Sequence, residues 1–120
     1  MRIAILLVSL AFVACGGSSS NGPTEAPINL TSSGLSSAAV TIPSGGRVHF
    51  FNKDTVAHQI ASSCSDLVTP TLSPGGDSLR PQMTGPQACT VSDALNPNAS
   101  SFQGTVTVGS PGMGGGGSGY

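Results

Sequence analysis

The sequence predicts an all-β sandwich built from short strands. Three observations carry that prediction. No apolar run between Ile28 and Val108 keeps a helical period, β signals recur at short intervals, and Gly/Pro turns close them. Ile28-Asn29-Leu30 alternates. Ala38 to Ile42 sets Val40 and Ile42 on one face, and Pro43-Ser44-Gly45-Gly46 then makes a turn. Arg47 to Asn52 follows as a strand, with Val48 and Phe50 on one side and His49 on the other, outward side. His58 to Ala61 is a short strand containing Ile60, and Leu67 to Leu72 is a further strand ending in the turn Ser73-Pro74-Gly75-Gly76. Ser78 to Met83 reads as a strand that Pro81 confines to an edge or bulge. Gln87 to Val91 and Phe102 to Val108 complete the set, the latter alternating Val106 and Val108 with Thr105 and Thr107. With no Trp and 4% aromatic residues, the core should be modest, and a domain this short gains from a covalent staple.

The flanks differ from this middle. Arg2, the apolar run Ile3 to Val13 broken only by Ser9, and the small residue Ala14 have the order of a signal peptide, too short to span a bilayer. Phe12-Val13-Ala14-Cys15 resembles the bacterial lipobox, whose essential element is a Cys after a small residue; Phe12 stands where Leu is usual. The expected organisation is therefore a signal peptide over residues 1–14 and a lipidated Cys15 opening a Ser/Gly/Asn-rich tether over 15–27. A domain over 28–109 and a Gly-rich tail over 110–120 follow. The implied location is the bacterial envelope, with the bilayer as partner through Cys15; in a Gram-negative host, Gly16 in place of Asp after that Cys leans towards the outer membrane.

Composition removes several function classes. Without the leader, Arg47, Lys53 and Arg80 stand against Glu25, Asp54, Asp66, Asp77 and Asp93, a net charge of −2. No Lys/Arg cluster is available for a phosphate backbone, so nucleic acid is not an expected partner. The chain has no G-x-S-x-G elbow, no H-E-x-x-H and no phosphate-cradling Gly loop, and its five acids are scattered, so no enzyme chemistry is expected. With Cys15 given to lipid, Cys64 and Cys89 remain as an even pair in an oxidising compartment, where a disulfide is preferred over two free thiols. Their spacing is not the C-x-x-C of redox-active pairs.

The stretch Val40-Thr41-Ile42-Pro43-Ser44-Gly45-Gly46-Arg47-Val48-His49-Phe50-Phe51-Asn52-Lys53-Asp54, followed by Val56-Ala57-His58, resembles the first half of a cupredoxin. There, a V-x-F-x-N-x-D strand leads to the first copper-binding His. Leu72-Ser73-Pro74-Gly75 matches the L-x-P-G turn, and Gly104-Thr105-Val106-Thr107-Val108 the G-T-V-x-V closing strand. The resemblance covers Ile28 to Val108 and is nearest to small bacterial cupredoxin-like lipoproteins. It implies a Greek-key β-sandwich, and a Cys64–Cys89 pairing. It places His58 at the first imidazole of a type 1 copper site and Cys89 roughly at the thiolate.

Such a site needs two imidazoles and a thiolate, usually with a weak axial Met. No His follows His58, and Phe102-Gln103 occupies the region of the axial Met. A Cys89 in a disulfide could not serve as a thiolate. The expectation is a non-enzymatic binding or structural module with a lost or incomplete copper site and no cofactor. The alternative is an atypical copper protein for electron transfer or copper handling, using His58 with Asp93 or His49.

Overall fold

The computed structural model of the chain describes residues 24–111. The expected signal peptide, the lipidated Cys15, the tether before Thr24 and the tail beyond Pro111 lie outside the described residues. Eight strands run β1 Glu25–Thr31, β2 Gly34–Leu35, β3 Ala39–Ile42, β4 Arg47–Asn52, β5 Ile60–Ser62, β6 Asp77–Leu79, β7 Gln87–Asp93 and β8 Gly104–Val108. Two 3-10 turns, Ser65–Leu67 and Ser100–Phe102, precede the β6 region and β8. The strands form two four-stranded sheets, ordered β2-β1-β4-β6 and β3-β8-β7-β5.

Period-two alternation decides which side chains the two sheets bury between them. β4 turns Val48, Phe50 and Asn52 inward and Arg47, His49 and Phe51 outward. β1 contributes Ile28 and Leu30 to the same interior, and β3 and β8 supply Ile42, Val106 and Val108 from the facing sheet. Cys89, Val91 and Asp93 share the inward face of β7, so strand geometry carries an acidic residue into the core.

Most strands expected from the sequence are present, and the departures have physical reasons. β1 begins at Glu25, three residues before the domain boundary expected at Ile28. The cause is its parallel pairing with β4, which sets Glu25 opposite Arg47 and Pro27 opposite His49. Pro27 is tolerated because β2 pairs only with Leu30 and Thr31, leaving Pro27 on a free edge. Leu67 to Leu72 is not a strand: Leu67 closes a 3-10 turn, and Leu72 makes an isolated bridge with His58. Both leucines are buried from irregular backbone, and a short run with apolar ends before a turn does not by itself separate that from a strand. β6 is an edge strand that stops before Pro81, as that residue requires.

β2 was not expected, being two residues long. It depends on Gly34, which has φ 121° and sits so near the Ser100–Phe102 turn that a Cβ would come 2.2 Å from the Ser101 carbonyl oxygen.

Cys64 and Cys89 form a disulfide with a Cα–Cα distance of 5.5 Å, tying the segment after β5 to β7.

Candidate functional site

The site is assembled from the β4–β5 loop and the β7–β8 connection, and buried Asn52 organises the first of these. Its side-chain amide donates to the carbonyls of Val56 and Leu72, each at 2.9 Å, while its Oδ1 accepts the Asp54 amide at 2.9 Å. The loop is thereby folded back so that Asp54 faces His58, four residues on. The backbone of His58 is fixed by paired hydrogen bonds with Leu72, at 3.1 and 2.7 Å. From the other side, β5–β7 register places Ile60 opposite Asp93 and brings the Asp93 carboxylate to the imidazole.

His58 is 2% exposed and Asp93 0%, and the imidazole lies between two carboxylates. Nδ1 is 2.5 Å from Asp93 Oδ2 and Nε2 is 2.8 Å from Asp54 Oδ2, where the Asp54 side chain is 9% exposed. Asp93 Oδ2 also accepts from the Asn96 amide at 3.0 Å, and its Oδ1 accepts the backbone amides of Gln59 at 3.2 Å and Leu95 at 3.0 Å. The Phe102 ring packs on the imidazole with centroids 4.6 Å apart.

This geometry dictates a protonation state. Ionised carboxylates only accept, so an imidazole bonded to one at each nitrogen must donate from both and carry a charge. Burial pushes the His58 pKa down, but the hydrogen bonds and charges of Asp93 and Asp54 outweigh it and hold the pKa above its usual value. Burial likewise pushes Asp93 up, and the donors His58, Asn96, Leu95 and Gln59 bring it below the ordinary carboxylate range. Asp54 is lowered chiefly by its hydrogen bond with His58, then by the Thr55 amide.

The two kinds of shift bound a pH window. A raised His58 pKa contributes stability that is complete below the unfolded value of 6.5 and lost as pH rises through the folded one. Lowered Asp54 and Asp93 values contribute stability that is complete above 3.8 and lost as pH falls through the folded values. The cluster is therefore expected to stabilise the domain most between pH 3.8 and 6.5. Two-bond nitrogen–proton NMR at pH 6 should show both His58 ring nitrogens protonated, and a neutral single tautomer there would contradict the assignment.

The sequence-derived site residues separate accordingly. His58 and Asp93 are brought together, whereas His49 lies on the outer face of β4, away from them. His49 Nε2 is 2.6 Å from Asp77 and Nδ1 3.4 Å from Glu25, and its ring stacks on Phe51 at 4.0 Å. Cys89 is not the group that faces His58. It lies four residues before Asp93 on the same strand face, with its sulfur committed to Cys64. Asp54, Asn96 and Phe102 were missed as partners of this centre by sequence reasoning; the signals were that Asp54 closes the V-x-F-x-N-x-D pattern four residues before His58 and that Phe102 stands in the region of the axial Met.

The donor set does not fit a type 1 copper centre. Both His58 nitrogens are taken, Cys89 is oxidised, and among the described residues no buried side-chain nitrogen or oxygen lacks a partner. No group of three or more His, Cys, Asp or Glu among the described residues is placed to hold a metal ion. A surface groove of about 480 Å³ lies elsewhere, between Ala38, Thr90, Ser92, Gln103 and Thr105. Its lining has no titratable group.

Two four-stranded sheets in this strand order form a cupredoxin-type β-sandwich. Comparison with solved structures agrees: the chain has the cupredoxin fold. It is similar to a purple cupredoxin from Nitrosopumilus maritimus, with 21% identity, TM-score 0.60, and coverage of 70% of this chain and 99% of that one. It is also similar to auracyanin from Roseiflexus castenholzii, with 18% identity, TM-score 0.57, and coverage of 73% and 98%. A Cu-containing nitrite reductase from Thermus scotoductus matches with 18% identity and TM-score 0.59 over 91% of this chain, which spans only 25% of that enzyme. No family model matches the sequence, and no curated protein is significantly similar to it.

Proposed function

We propose that this chain is a lipid-anchored module of the bacterial envelope whose cupredoxin-fold domain serves binding or structure, without catalysis and without a type 1 copper ion. The observation that carries the metal-free reading is the saturation of His58, whose two nitrogens are both spent on carboxylates. The anchor rests on the lipobox-like Phe12 to Cys15 and the apolar segment before it. The bilayer is then the partner at Cys15, and the low charge offers no surface to nucleic acid. A second reading is copper binding for electron transfer or copper handling at His58, favoured by the copper named in the nitrite reductase of like fold.

The test is direct. The mature chain is weighed with and without reductant and then titrated with Cu(II) and Cu(I). Gain of two protons on reduction, with no stoichiometric copper uptake, is the expected result. An intensely coloured one-to-one Cu(II) complex, abolished by His58→Ala, would overturn the metal-free reading. For the anchor, cells fed a labelled fatty acid should label the wild type and not Cys15→Ser; an unlabelled wild type removes the membrane assignment.

A further inference from the structure

Asp93 at the end of β7, and Asn96 and Phe102 in the β7–β8 connection, gather around His58. Asp93 meets Nδ1 at 2.5 Å, Asn96 shares the same Asp93 oxygen at 3.0 Å, and the Phe102 ring lies over the imidazole. The tight turn after β7, closed by the Asn96 amide on the Asp93 carbonyl at 3.0 Å, brings Asp93 and Asn96 side by side. A trigonal copper site asks for an imidazole, a thiolate and a second imidazole around one point, with only a weak axial ligand. This centre has the imidazole in place. It has a short side chain in direct contact with Nδ1, and, three residues further on, a planar polar side chain that bonds the same Asp93 oxygen rather than the imidazole. An apolar ring closes the remaining side.

We infer that Asp93 and Asn96 stand where a thiolate and a second imidazole would join His58 around one copper ion, and that their hydrogen bonds close the centre in place of that metal. The inference rests on the metal-free reading above and extends it, because it names the residues responsible. It also gives the cluster a mechanical role. The imidazolium, itself on the β4–β5 loop, bonds Asp54 within that loop and Asp93 at the end of β7, and so cross-links two segments.

The test is the full mature chain carrying Asp93→Cys and Asn96→His, with the Cys64–Cys89 bridge intact as judged by mass and thiol titration. Phe102 is left unchanged because the axial ligand is weak. Titrated with Cu(II), this variant is expected to bind one copper per chain and to develop an intense thiolate-to-copper absorption absent from the wild type. Adding His58→Ala should remove it. A variant that melts cooperatively and has its free thiol, yet binds no stoichiometric copper, overturns the inference while leaving the metal-free reading of the wild type intact. Copper bound by the wild type at His58 would instead sink that reading. Should the double variant fail to melt cooperatively, Asp93→Cys alone is titrated with Cu(I). It should bind at least about tenfold more tightly than Asp93→Cys with His58→Ala, and equal affinities overturn the inference.

Discussion

Asp93→Ala is expected to destabilise the domain by about 3–5 kcal/mol, the range for breaking a buried charged pair by removing one partner. The loss has identifiable parts. The His58 imidazolium keeps only Asp54, the amides of Gln59 and Leu95 lose their acceptor, and the Asn96 side chain loses its anchor. Because the total stability of such a domain is about 5–15 kcal/mol, the variant should sit close to the folding threshold. Urea unfolding at pH 6 measures the effect, and a loss below about 1 kcal/mol would mean that the buried pair does not form. The companion variant His58→Leu with Asp93→Val should be no worse than Asp93→Ala alone, since it removes the buried imidazolium together with its fully buried carboxylate. Asp54, at the edge of the cluster, keeps the Thr55 amide. A double variant much less stable than the single one would show that packing, and not charge, dominates here.

Opening the Cys64–Cys89 bridge is expected to cost a similar amount, about 3–4 kcal/mol by loop-closure entropy for a bridge whose cysteines are 25 residues apart. Cys89 is fully buried and Cys64 half-buried against the core, so Cys64→Ala with Cys89→Ala removes the link with little change in packed volume. The measurement is the urea midpoint of this variant against the oxidised wild type. Coincident midpoints would show that the bridge does not stabilise the fold. The effect should add to that of Asp93→Ala, because the inward faces of β7 place the two sites at different ends of the strand and they share no hydrogen-bond partner. Combined, the three substitutions are expected to leave the chain unfolded at 37 °C.

What could be read directly from the residues was local. The alternation in Arg47 to Asn52 defined β4 to the residue, and Pro81 correctly confined β6 to an edge. Those features depend on period two and on the missing Pro amide, both properties of neighbouring residues. Residues whose state depends on a distant partner were misread. Glu25 to Pro27 have no signal of their own and are strand only because β4 pairs with them, and Leu67 to Leu72, a short stretch with apolar ends before a Pro/Gly turn, packs from a turn and a bridge.

The same division holds for the site. The sequence by itself determined that His58 sits at the head of a cupredoxin-like pattern, that no second His follows it, and that Cys64 and Cys89 form an even pair. Only the tertiary structure decided that the group meeting His58 is Asp93 and not Cys89. The two residues differ by two steps of the same strand face, so both point inward and alternation cannot choose between them. The choice is made by β5–β7 register, which sets Asp93 beside Ile60 and 35 residues of chain away from the imidazole it holds. Register is fixed by burying one face of each sheet at once, a condition on the whole sandwich that no single segment contains.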